Sequence, residues 1–284
     1  MKNKNTTEPA SQAVPTGEVA RDMYVNAMPF RYILGTRVDA TTYANATHAI
    51  VQWARAHLSR YVCAANVHMV MEAYDDLHFR RVVNSADLVT SDGMPLVWAL
   101  HRMGIEDAVR VYGPDLMLSV CEAAQREQLP VAFYGGSADH LNSLTSELLS
   151  RFPSLKIVFA HAPPFRPLTK EEDGDIIRRI NGSGARILFV GLGCPKQESW
   201  MLEHKGRIQS VMLGVGAAFD FYSGRVRQAP RWMMRCGLEW LYRLTQDPKR
   251  LWRRYFRHNP RFIIFLLLQF LGFRSVAQGK VPRF

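Results

Sequence analysis

The most constraining feature of this chain is an alternation between two hydrophobic periods, which runs from about residue 24 to residue 221. Short apolar runs rich in β-branched residues alternate with longer stretches in which apolar residues recur every three to four positions. The first pattern is typical of buried strands, and the second of helices that bury one face. Strands and helices alternating at this spacing form βαβ units. We therefore predict an α/β fold with a Rossmann-like, mostly parallel sheet flanked by helices.

Several segments carry each pattern clearly. Strands are predicted at residues 32–35, 61–65, 88–91, 131–134, 157–160, 187–190 and 211–215. Helices are predicted at residues 68–84, 114–127, 139–151 and 170–179, among others. Thr169 and Glu172 stand three residues apart at the start of the last of these helices, which is the spacing of a capping box.

The two ends of the chain differ from this α/β region, so we divide the chain into three parts. Residues 1–22 are polar, contain two prolines and lack the apolar region of an export signal. They are predicted to be a disordered leader, and the protein is expected to stay in the cytosol. Residues 23–224 are the predicted α/β domain with the candidate site. Residues 225–284 are a predicted basic, amphipathic helical appendage.

The positive charge of the chain is concentrated in this appendage. Of the 36 Lys and Arg residues, 14 lie within residues 225–284, which hold only two of the 25 acidic residues. The net charge of +11 therefore comes from the appendage, and the first 224 residues are close to neutral. A neutral body with a cationic tail indicates a polyanionic partner, either membrane phospholipid or nucleic acid. A solvated basic face is the alternative.

Two helices are predicted within residues 229–258. The first is marked by an apolar stripe at steps of four residues: Trp232, Cys236, Trp240 and Leu244. The second is predicted to begin at Asp247 and Pro248, because proline is favoured directly after an N-cap residue.

The second of these helices is cationic and amphipathic, a pattern typical of a helix in a membrane interface. A helix packed on its own domain with a solvated polar face is the alternative.

The apolar run at residues 262–273, interrupted by Gln269, is too short to cross a bilayer, which takes roughly 20 residues. It is predicted either to enter one leaflet or to form a buried core helix. Together these segments suggest a peripheral protein on the inner face of a membrane.

Polar or glycine-rich turns follow the predicted strands, at residues 66–68, 92–95, 135–137, 191–198 and 214–216. In α/β sheets, ligands bind where the carboxyl ends of strands meet helix N-termini. Glycine lets a backbone approach a phosphate closely, and a helix start offers free N–H groups to an anion, although tight turns also need glycine. The glycines assigned to the candidate ligand site are Gly135, Gly136, Gly191 and Gly193.

No established phosphate or metal motif accompanies these turns. The chain has no P-loop, and neither of the G-x-G sequences in the turns at 191–198 and 214–216 continues to the third glycine of the dinucleotide fingerprint. Nine histidines show no metal-ligand spacing, and His68 and His161 lack obvious metal partners. Four dispersed cysteines without a CxxC pair argue against a zinc or redox site. No metal is predicted.

Asp92 is the strongest catalytic candidate. It ends a predicted strand before a glycine, so its carboxylate can point into the cleft and accept a proton from a hydroxyl nucleophile. An equally supported alternative is that Asp92 caps the helix that opens at Pro95. Asn66 and Gln197 can bind a sugar or a base, or act only as turn and cap residues. Arg110 can neutralise a phosphate, or be an ordinary exposed arginine.

Ordered blocks of the sequence resemble a known enzyme family. In chain order they are NVHM at 66–69, DGMPLV at 92–97, RVYGPDL at 110–116, FYGG at 133–136, VGLGCPKQE at 190–198, GVGAAFD at 214–220, APRW at 229–232 and GLEWLYRL at 237–244. From about residue 32 to residue 260, these blocks strongly resemble the WecG/TagA/CpsF glycosyltransferases, glycosyltransferase family 26.

The resemblance implies inverting transfer of a sugar from a UDP-sugar to a saccharide on undecaprenyl pyrophosphate. The product would serve exopolysaccharide, capsule or cell-wall polymer synthesis. The resemblance implies no metal and no other cofactor. It places the protein peripherally on the cytoplasmic face of the bacterial inner membrane. The polyanionic partner would then be anionic lipid and not nucleic acid. Whether the protein forms a homo-oligomer is left undecided.

The resemblance also implies roles for individual residues. The residue matching Asp92 is the proposed general base of the family, which takes the proton of the acceptor hydroxyl. Residues matching Asn66, Arg110 and Gln197 belong to the donor site. One departure is Ala64, where the family often has threonine, so any role of that hydroxyl is lost or moved.

Residues near the carboxyl end of the family blocks complete the expected donor site. Arginines matching Arg243, Arg250 and Arg253 would close over the donor pyrophosphate. Asp220, in the block at 214–220, is also assigned to this site.

Two other function classes are weighed against a glycosyltransferase. A nucleotide-sugar oxidoreductase or epimerase would need the dinucleotide fingerprint, which this sequence lacks. A non-enzymatic polyanion-binding protein would use the tail to hold nucleic acid with a steep salt dependence. The Phe- and Leu-rich run suits lipid better.

Overall fold

An eight-stranded sheet lies at the centre of the computed structural model, which describes residues 28–273. The strands are β1 (Phe30–Ile33), β2 (Thr36–Asp39), β3 (Arg60–Ala65), β4 (Leu88–Ser91), β5 (Val131–Gly135), β6 (Ile157–His161), β7 (Ile187–Gly191) and β8 (Val211–Gly214). Their order in the sheet is β1-β2-β4-β3-β8-β7-β5-β6, and only β1 and β2 pair antiparallel. The predicted mostly parallel sheet is confirmed. The predicted leader lies outside the described residues.

Helices cover both faces of this sheet. They are α1 (Tyr43–Arg55), α2 (Val67–Asp75), α3 (Leu77–Asn84), α4 (Met94–Arg102), α5 (Gly113–Arg126), α6 (Ala138–Arg151), α7 (Lys170–Gly182), α8 (Lys196–His204), α9 (Ala217–Tyr222), α10 (Arg231–Arg235), α11 (Glu239–Gln246) and α12 (Pro248–Phe270). The capping box predicted at the start of α7 is present, with both hydrogen bonds between Thr169 and Glu172.

Two hydrophobic clusters fill the spaces between the sheet and its helices. One cluster lies under α2, α3, α4, α7, α8 and α12, and the other under α1, α5, α6 and α9. Neighbouring residues of a central strand enter different clusters, as Phe133 and Tyr134 do, because successive side chains of a strand point to opposite faces. This two-sided burial explains why the central strands are almost wholly apolar.

The structure corrects the first predicted strand, at residues 32–35. The chain forms a hairpin here: β1 ends at Ile33, and β2 begins at Thr36. The turn residues Leu34 and Gly35 both have positive φ, of 49° and 81°, a combination found in tight two-residue hairpin turns. The prediction included the turn in the strand and missed β2.

The predicted helix at residues 68–84 is also wrong in its continuity. Asp76, with φ −122° and ψ 109°, separates α2 from α3. Its carboxylate accepts hydrogen bonds from the backbone N–H of His78 at 2.7 Å and of Phe79 at 3.3 Å. Asp76 is therefore the N-cap of a new helix, and the apolar periodicity continues across the break.

The first helix predicted in the appendage is interrupted as well. Gly237, with φ +70°, lies between α10 and α11. A Cβ at this glycine would lie 2.7 Å from the ring of Trp98, so the close approach of α4 requires glycine here. The four-residue steps of the apolar stripe did not reveal this break.

The second helix of the appendage begins at Pro248 with Asp247 as its N-cap, as predicted. It does not end before the apolar run: α12 continues through Pro260 to Phe270. Phe262 is buried in the core, whereas Ile263, Ile264 and Leu267 are exposed. The apolar run is thus half core helix and half exposed surface, so neither of its two predicted states describes it fully.

Polar contacts also join α12 to the body of the fold. The side chain of Gln269 accepts a hydrogen bond from the N–H of Leu34 and donates one to the carbonyl of Tyr32, both at 2.8 Å. Arg261 forms an ion pair of 2.5 Å with Asp75 at the end of α2. The one polar residue of the apolar run therefore satisfies backbone groups of the β1–β2 hairpin.

Within residues 28–273, no helix has the length and apolar character needed to cross a membrane.

Candidate active site

A cavity of about 480 Å³ opens at the carboxyl ends of β3 and β4. One side is formed by residues that follow these strands and by α4, and the opposite side by α11 and α12. We call this space the central cavity. Four predicted site residues line it: Asn66, Asp92, Arg110 and Arg243. The appendage therefore supplies a wall of the site.

The carboxylate of Asp92 is held at the end of β4 by two donors. The N–H of Gly113, at the start of α5, donates to its Oδ1 at 2.6 Å, and the side-chain amide of Asn66 donates to its Oδ2 at 3.4 Å. The N-cap of α4 is Gly93 and lacks a side-chain hydrogen bond, so the alternative that Asp92 caps this helix is wrong. The carboxylate is instead positioned at the cavity wall.

The environment of Asp92 raises its pKa to about 6. Burial is the largest cause because it disfavours the charged form. The negative charge of Glu239 also raises this pKa, whereas Arg110 and the two hydrogen-bond donors lower it. A carboxylate with a pKa near neutrality is well matched to proton transfer from a hydroxyl group.

Asn66 is a cap residue, which is one of the two roles that its sequence position suggested, and its binding of a sugar or base stays a prediction. Its side-chain oxygen caps α2 by accepting a hydrogen bond from the N–H of Met69 at 3.2 Å. Its amide nitrogen faces Asp92. The cap fixes the orientation of the side chain, so the amide is presented to the carboxylate as a donor.

Arg110 is half-buried and tied into a network, in contrast to the ordinary exposed arginine that was its alternative. It donates from Nε to the backbone carbonyl of Asp92 and forms an ion pair of 2.5 Å with Glu239 of α11. Its guanidinium lies 4.2 Å from the ring centre of Tyr112. The Tyr112 hydroxyl donates to the other Glu239 oxygen at 3.0 Å. The charge of Arg110 is therefore neutralised from within the protein.

Two other arginines of the cavity wall are not neutralised in this way. Arg243 of α11 and Arg254 of α12 line the central cavity, and neither forms an ion pair among residues 28–273. Burial lowers the pKa of Arg254, with further contributions from Arg243 and Arg250. Half-buried guanidinium groups without an internal anion favour the binding of a phosphate group.

The structure does not bring Arg250 and Arg253 to the cavity. Arg250 is exposed and pairs with Asp247 at 2.6 Å, and Arg253 is exposed beside the ring of Trp252. Sequence reasoning missed Arg254, although it lies on the same helical face as the buried Leu251 and His258. It also missed Glu239, which stands inside one of the family-like blocks.

The four predicted site glycines at the carboxyl ends of β5 and β7 and in the turns that follow do not line the central cavity. A Cβ on Gly135, which has φ +129°, would lie 2.5 Å from the backbone of Gly191. A Cβ on Gly191 would lie 2.5 Å from the ring of Phe219. The close packing of β5, β7 and α9 accounts for these two glycines. Gly136 and Gly193 adopt positive φ in the adjoining turns, and ligand roles for all four stay predictions.

Gln197 and Asp220 also lie outside the lining of the central cavity. Gln197 is buried: its side-chain oxygen accepts from the N–H groups of Gly193 and Gly216, and its amide donates to Glu198 at 2.7 Å. These bonds hold the turns after β7 and β8 together. Asp220, on α9, lies 3.7 Å from Arg225. Their assignment to the donor site stays a prediction.

One cluster at the cavity wall was not visible in the sequence. His68 and Glu72 lie one turn apart on α2, and His258 of α12 meets them. The Glu72 Oε1 atom is 3.6 Å from His68 Nδ1 and 3.3 Å from His258 Nε2, and the three possible ligand atoms lie within 4.8 Å of one another. His68 therefore has neighbours that could act as metal ligands with it, which the sequence spacing did not show. Burial is the main reason that the pKa of His68 falls to about 3.

These features define a class of chemistry. Asp92 can take a proton from a hydroxyl group, and the unpaired guanidinium groups of Arg243 and Arg254 can stabilise phosphate charge. A base and an anion site at the carboxyl edge of a parallel sheet suit an enzyme that transfers a group from a phosphate-activated donor to a hydroxyl acceptor.

Comparison with known proteins identifies the family. The model of the "Glycosyl transferase WecG/TagA/CpsF family" matches residues 31–276. The chain is 30% identical to an N-acetylglucosaminyldiphosphoundecaprenol N-acetyl-beta-D-mannosaminyltransferase of Bacillus spizizenii, over 76% of this chain and 82% of the relative. It is 29% identical to a protein of the same name from Staphylococcus aureus, over 78% and 86%.

The chain therefore belongs to the WecG/TagA/CpsF family of glycosyltransferases, as its sequence blocks suggested. It is an enzyme that transfers a glycosyl group. The oxidoreductase and the non-enzymatic binding protein are set aside by this family membership.

The raised pKa of Asp92 predicts how the stability of the protein depends on pH. Burial favours the protonated form of Asp92 over the ionised form. The protonated carboxyl group therefore stabilises the fold at low pH, and this stabilisation is lost as pH rises through about 6. Asp92→Asn imitates the protonated form at every pH. The free energy of unfolding of this variant, relative to the wild type, should increase by about 1–2 kcal/mol between pH 5 and pH 8.

Urea unfolding of both proteins at the two pH values measures this change. The difference between the two pH values is the informative quantity, because the altered hydrogen bonds of the amide shift both values equally. A difference that stays constant, or that falls toward pH 8, would show that the carboxylate is not held as described.

Proposed function

We propose that this glycosyltransferase moves a sugar from a UDP-sugar to a hydroxyl of an undecaprenyl-diphosphate-linked saccharide, with inversion at the anomeric carbon. The names of the two relatives support the acceptor, since both describe transfer of N-acetylmannosamine to N-acetylglucosaminyldiphosphoundecaprenol. The product would serve an exopolysaccharide, a capsule or a cell-wall polymer.

Asp92 is the proposed general base. It takes the proton from the acceptor hydroxyl as the oxygen attacks the anomeric carbon from the face opposite the UDP group. The new bond joins the acceptor oxygen to the sugar. The bond between the sugar and the diphosphate breaks, and UDP leaves with its electron pair. Inversion follows from this single displacement, because nucleophile and leaving group occupy opposite faces of the sugar.

The leaving diphosphate gains negative charge during this step. Arg243 is the proposed partner of this charge, because its guanidinium lines the central cavity and forms no ion pair with the described part of the chain. In a water-poor cavity, a fixed cation stabilises a leaving anion more strongly than it does in bulk water. Since guanidinium groups supply this charge, the proposed mechanism requires neither a metal nor an organic cofactor.

The observation that carries this proposal is the carboxylate of Asp92 in a cavity that it shares with the guanidinium group of Arg243. The test measures UDP release by purified protein from a panel of UDP-sugars, including UDP-N-acetylmannosamine, on membranes with N-acetylglucosaminyldiphosphoundecaprenol. Asp92→Asn should lower kcat by about 100-fold or more, the usual contribution of a general base. The wild-type rate should rise with pH through about 6 as the carboxylate ionises.

Asp139→Asn is the matched control, because Asp139 is an exposed carboxylate on α6 outside the cavity. This variant should keep the wild-type rate. Full activity of Asp92→Asn would rule out Asp92 as the base. Absence of UDP release with every donor, from folded and membrane-bound protein, would rule out the proposed transfer.

We also propose that the appendage, residues 225–284, holds the α/β domain at the cytoplasmic face of the inner membrane. Trp232, Trp252 and Phe256 are exposed on α10 and α12. Four exposed basic residues accompany them on α12: Lys249, Arg250, Arg253 and Arg257. Exposed aromatic rings beside cations are typical of an interface with anionic lipid, in which each cation contributes about 1 kcal/mol.

Vesicle co-sedimentation tests this surface. Phe256→Asp should weaken binding to phosphatidylglycerol vesicles by about tenfold, because an exposed apolar anchor is replaced by a charge that anionic lipid repels. Phe165→Asp replaces an exposed phenylalanine outside the appendage and should leave binding unchanged. Equal binding of all three proteins would contradict the proposed membrane surface.

A further inference from the structure

One face of α12 forms the long wall of the central cavity. The residues that line it form adjacent pairs that recur every four positions, from Arg254 and Tyr255 to Leu266 and Leu267, and the wall ends at Phe270. At a rise of 1.5 Å per residue, the wall from Arg254 to Phe270 is about 24 Å long. The central cavity is therefore elongated along this helix.

The polarity of this wall changes once along its length. Its first part, from Arg254 to Asn259, offers a guanidinium, a phenol, an imidazole and an amide. Its second part, from Phe262 to Phe270, offers only hydrocarbon side chains. The wall is thus cationic and polar at the end that begins with Arg254 and apolar at the other end.

The facing wall extends the apolar part. Met94, Pro95, Trp98 and Ala99 of α4 line the same cavity, as does Met234 of α10. The ring of Trp98 is held in place by its packing over Gly237. An apolar groove therefore lies between α4 and the second half of α12, continuous with the polar part of the cavity.

We propose that this groove binds a lipid diphosphate, with the diphosphate at Arg254 and the first isoprenyl units between α4 and the apolar half of α12. This inference rests on the proposed function, in which a lipid-linked saccharide is the acceptor, and it assigns that acceptor a place. A saccharide on the diphosphate then lies toward Asp92.

The chemistry of the groove selects this occupant. Isoprenyl units carry no polar groups, so they lose nothing in a hydrocarbon groove. A peptide or a uridine placed there would bury donors and acceptors without partners, at a cost of roughly 1–3 kcal/mol each. The charge of a diphosphate is complementary to the guanidinium of Arg254, which has no ion-pair partner between residues 28 and 273.

The exposed rim of the groove explains how a long lipid can be held by a short site. Ile263 and Leu267 line the groove and are also more than half exposed, next to the exposed Ile264. The groove therefore opens onto the apolar surface of α12. The remaining isoprenyl units extend from this opening and stay within the bilayer.

The test uses farnesyl diphosphate, a soluble lipid diphosphate that has no sugar and needs no turnover. Its binding to the full-length protein is followed by titration calorimetry, below the concentration at which the lipid aggregates. Ile263→Asp should weaken binding by about tenfold or more, because a carboxylate then faces the isoprenyl chain.

Ile264→Asp is the matched control at this end. Ile263 and Ile264 are adjacent on α12 and are 58% and 55% exposed, but only Ile263 lines the groove. Ile264→Asp should leave the affinity for farnesyl diphosphate within twofold. Equal weakening by both variants would show that the lipid binds to the outer surface of α12, and it would overturn the proposal.

The polar end has a matched pair as well. Arg254→Gln should weaken the binding of farnesyl diphosphate by about tenfold, because a charge-assisted hydrogen bond to the lipid diphosphate is lost. The same change should leave the affinity for UDP within twofold. Arg253→Gln, which changes the exposed neighbour, should alter neither affinity. If Arg254→Gln instead weakened the binding of UDP and not that of farnesyl diphosphate, Arg254 would belong to the donor site. That result would overturn this part of the proposal.

The binding of farnesyl diphosphate can be measured independently of the sugar transfer under the proposed function. The expected binding pattern would support the lipid groove even when no sugar donor supports transfer. Folded wild-type protein that binds UDP but not farnesyl diphosphate would overturn the groove and leave the proposed transfer standing.

Discussion

The ion pair between Arg110 and Glu239 joins the two halves of the candidate active site. Arg110 comes from the segment between β4 and α5, and Glu239 begins α11 in the appendage. Both side chains are half-buried, so each would pay a large desolvation cost without the other. The hydroxyl of Tyr112 donates to the same carboxylate and satisfies its second oxygen. The pair thereby fixes the helix that presents Arg243 to the central cavity.

The same pair sets the electrostatic surroundings of the proposed base. Arg110 donates to the backbone carbonyl of Asp92 and lowers the pKa of its carboxyl group, whereas Glu239 raises it. Their opposing effects leave burial as the largest influence, and the pKa rises to about 6. A base that is ionised at neutral pH but still basic enough to accept a proton depends on this balance.

Much of the fold and part of the site follow from local patterns in the sequence. The hydrophobic periods predict the parallel sheet because each strand and helix buries its own side chains. Asn66, Asp92 and Arg110 are found because strand ends and the turns near them meet at one edge of such a sheet. The break at Asp76 was missed because the apolar period continues through it.

Other features depend on contacts between distant segments. Arg254 and not Arg253 lines the central cavity because of the rotation of α12 about its axis. The packing of Leu251 and Phe262 fixes this rotation. The buried stripe formed by these two residues could have indicated that rotation. The pairing of Arg110 with Glu239 and the meeting of His68 with His258 have no local signal, because tertiary packing alone brings these residues together.

A double-mutant cycle on the free energy of unfolding tests most directly whether the appendage completes the active site. The cycle compares the wild type with Arg110→Met, Glu239→Gln and the double variant. The structure predicts a coupling energy of about 1–3 kcal/mol, because each single change leaves a half-buried charge without its partner. A coupling energy near zero would contradict the central claim, since α11 would then not be docked against Arg110.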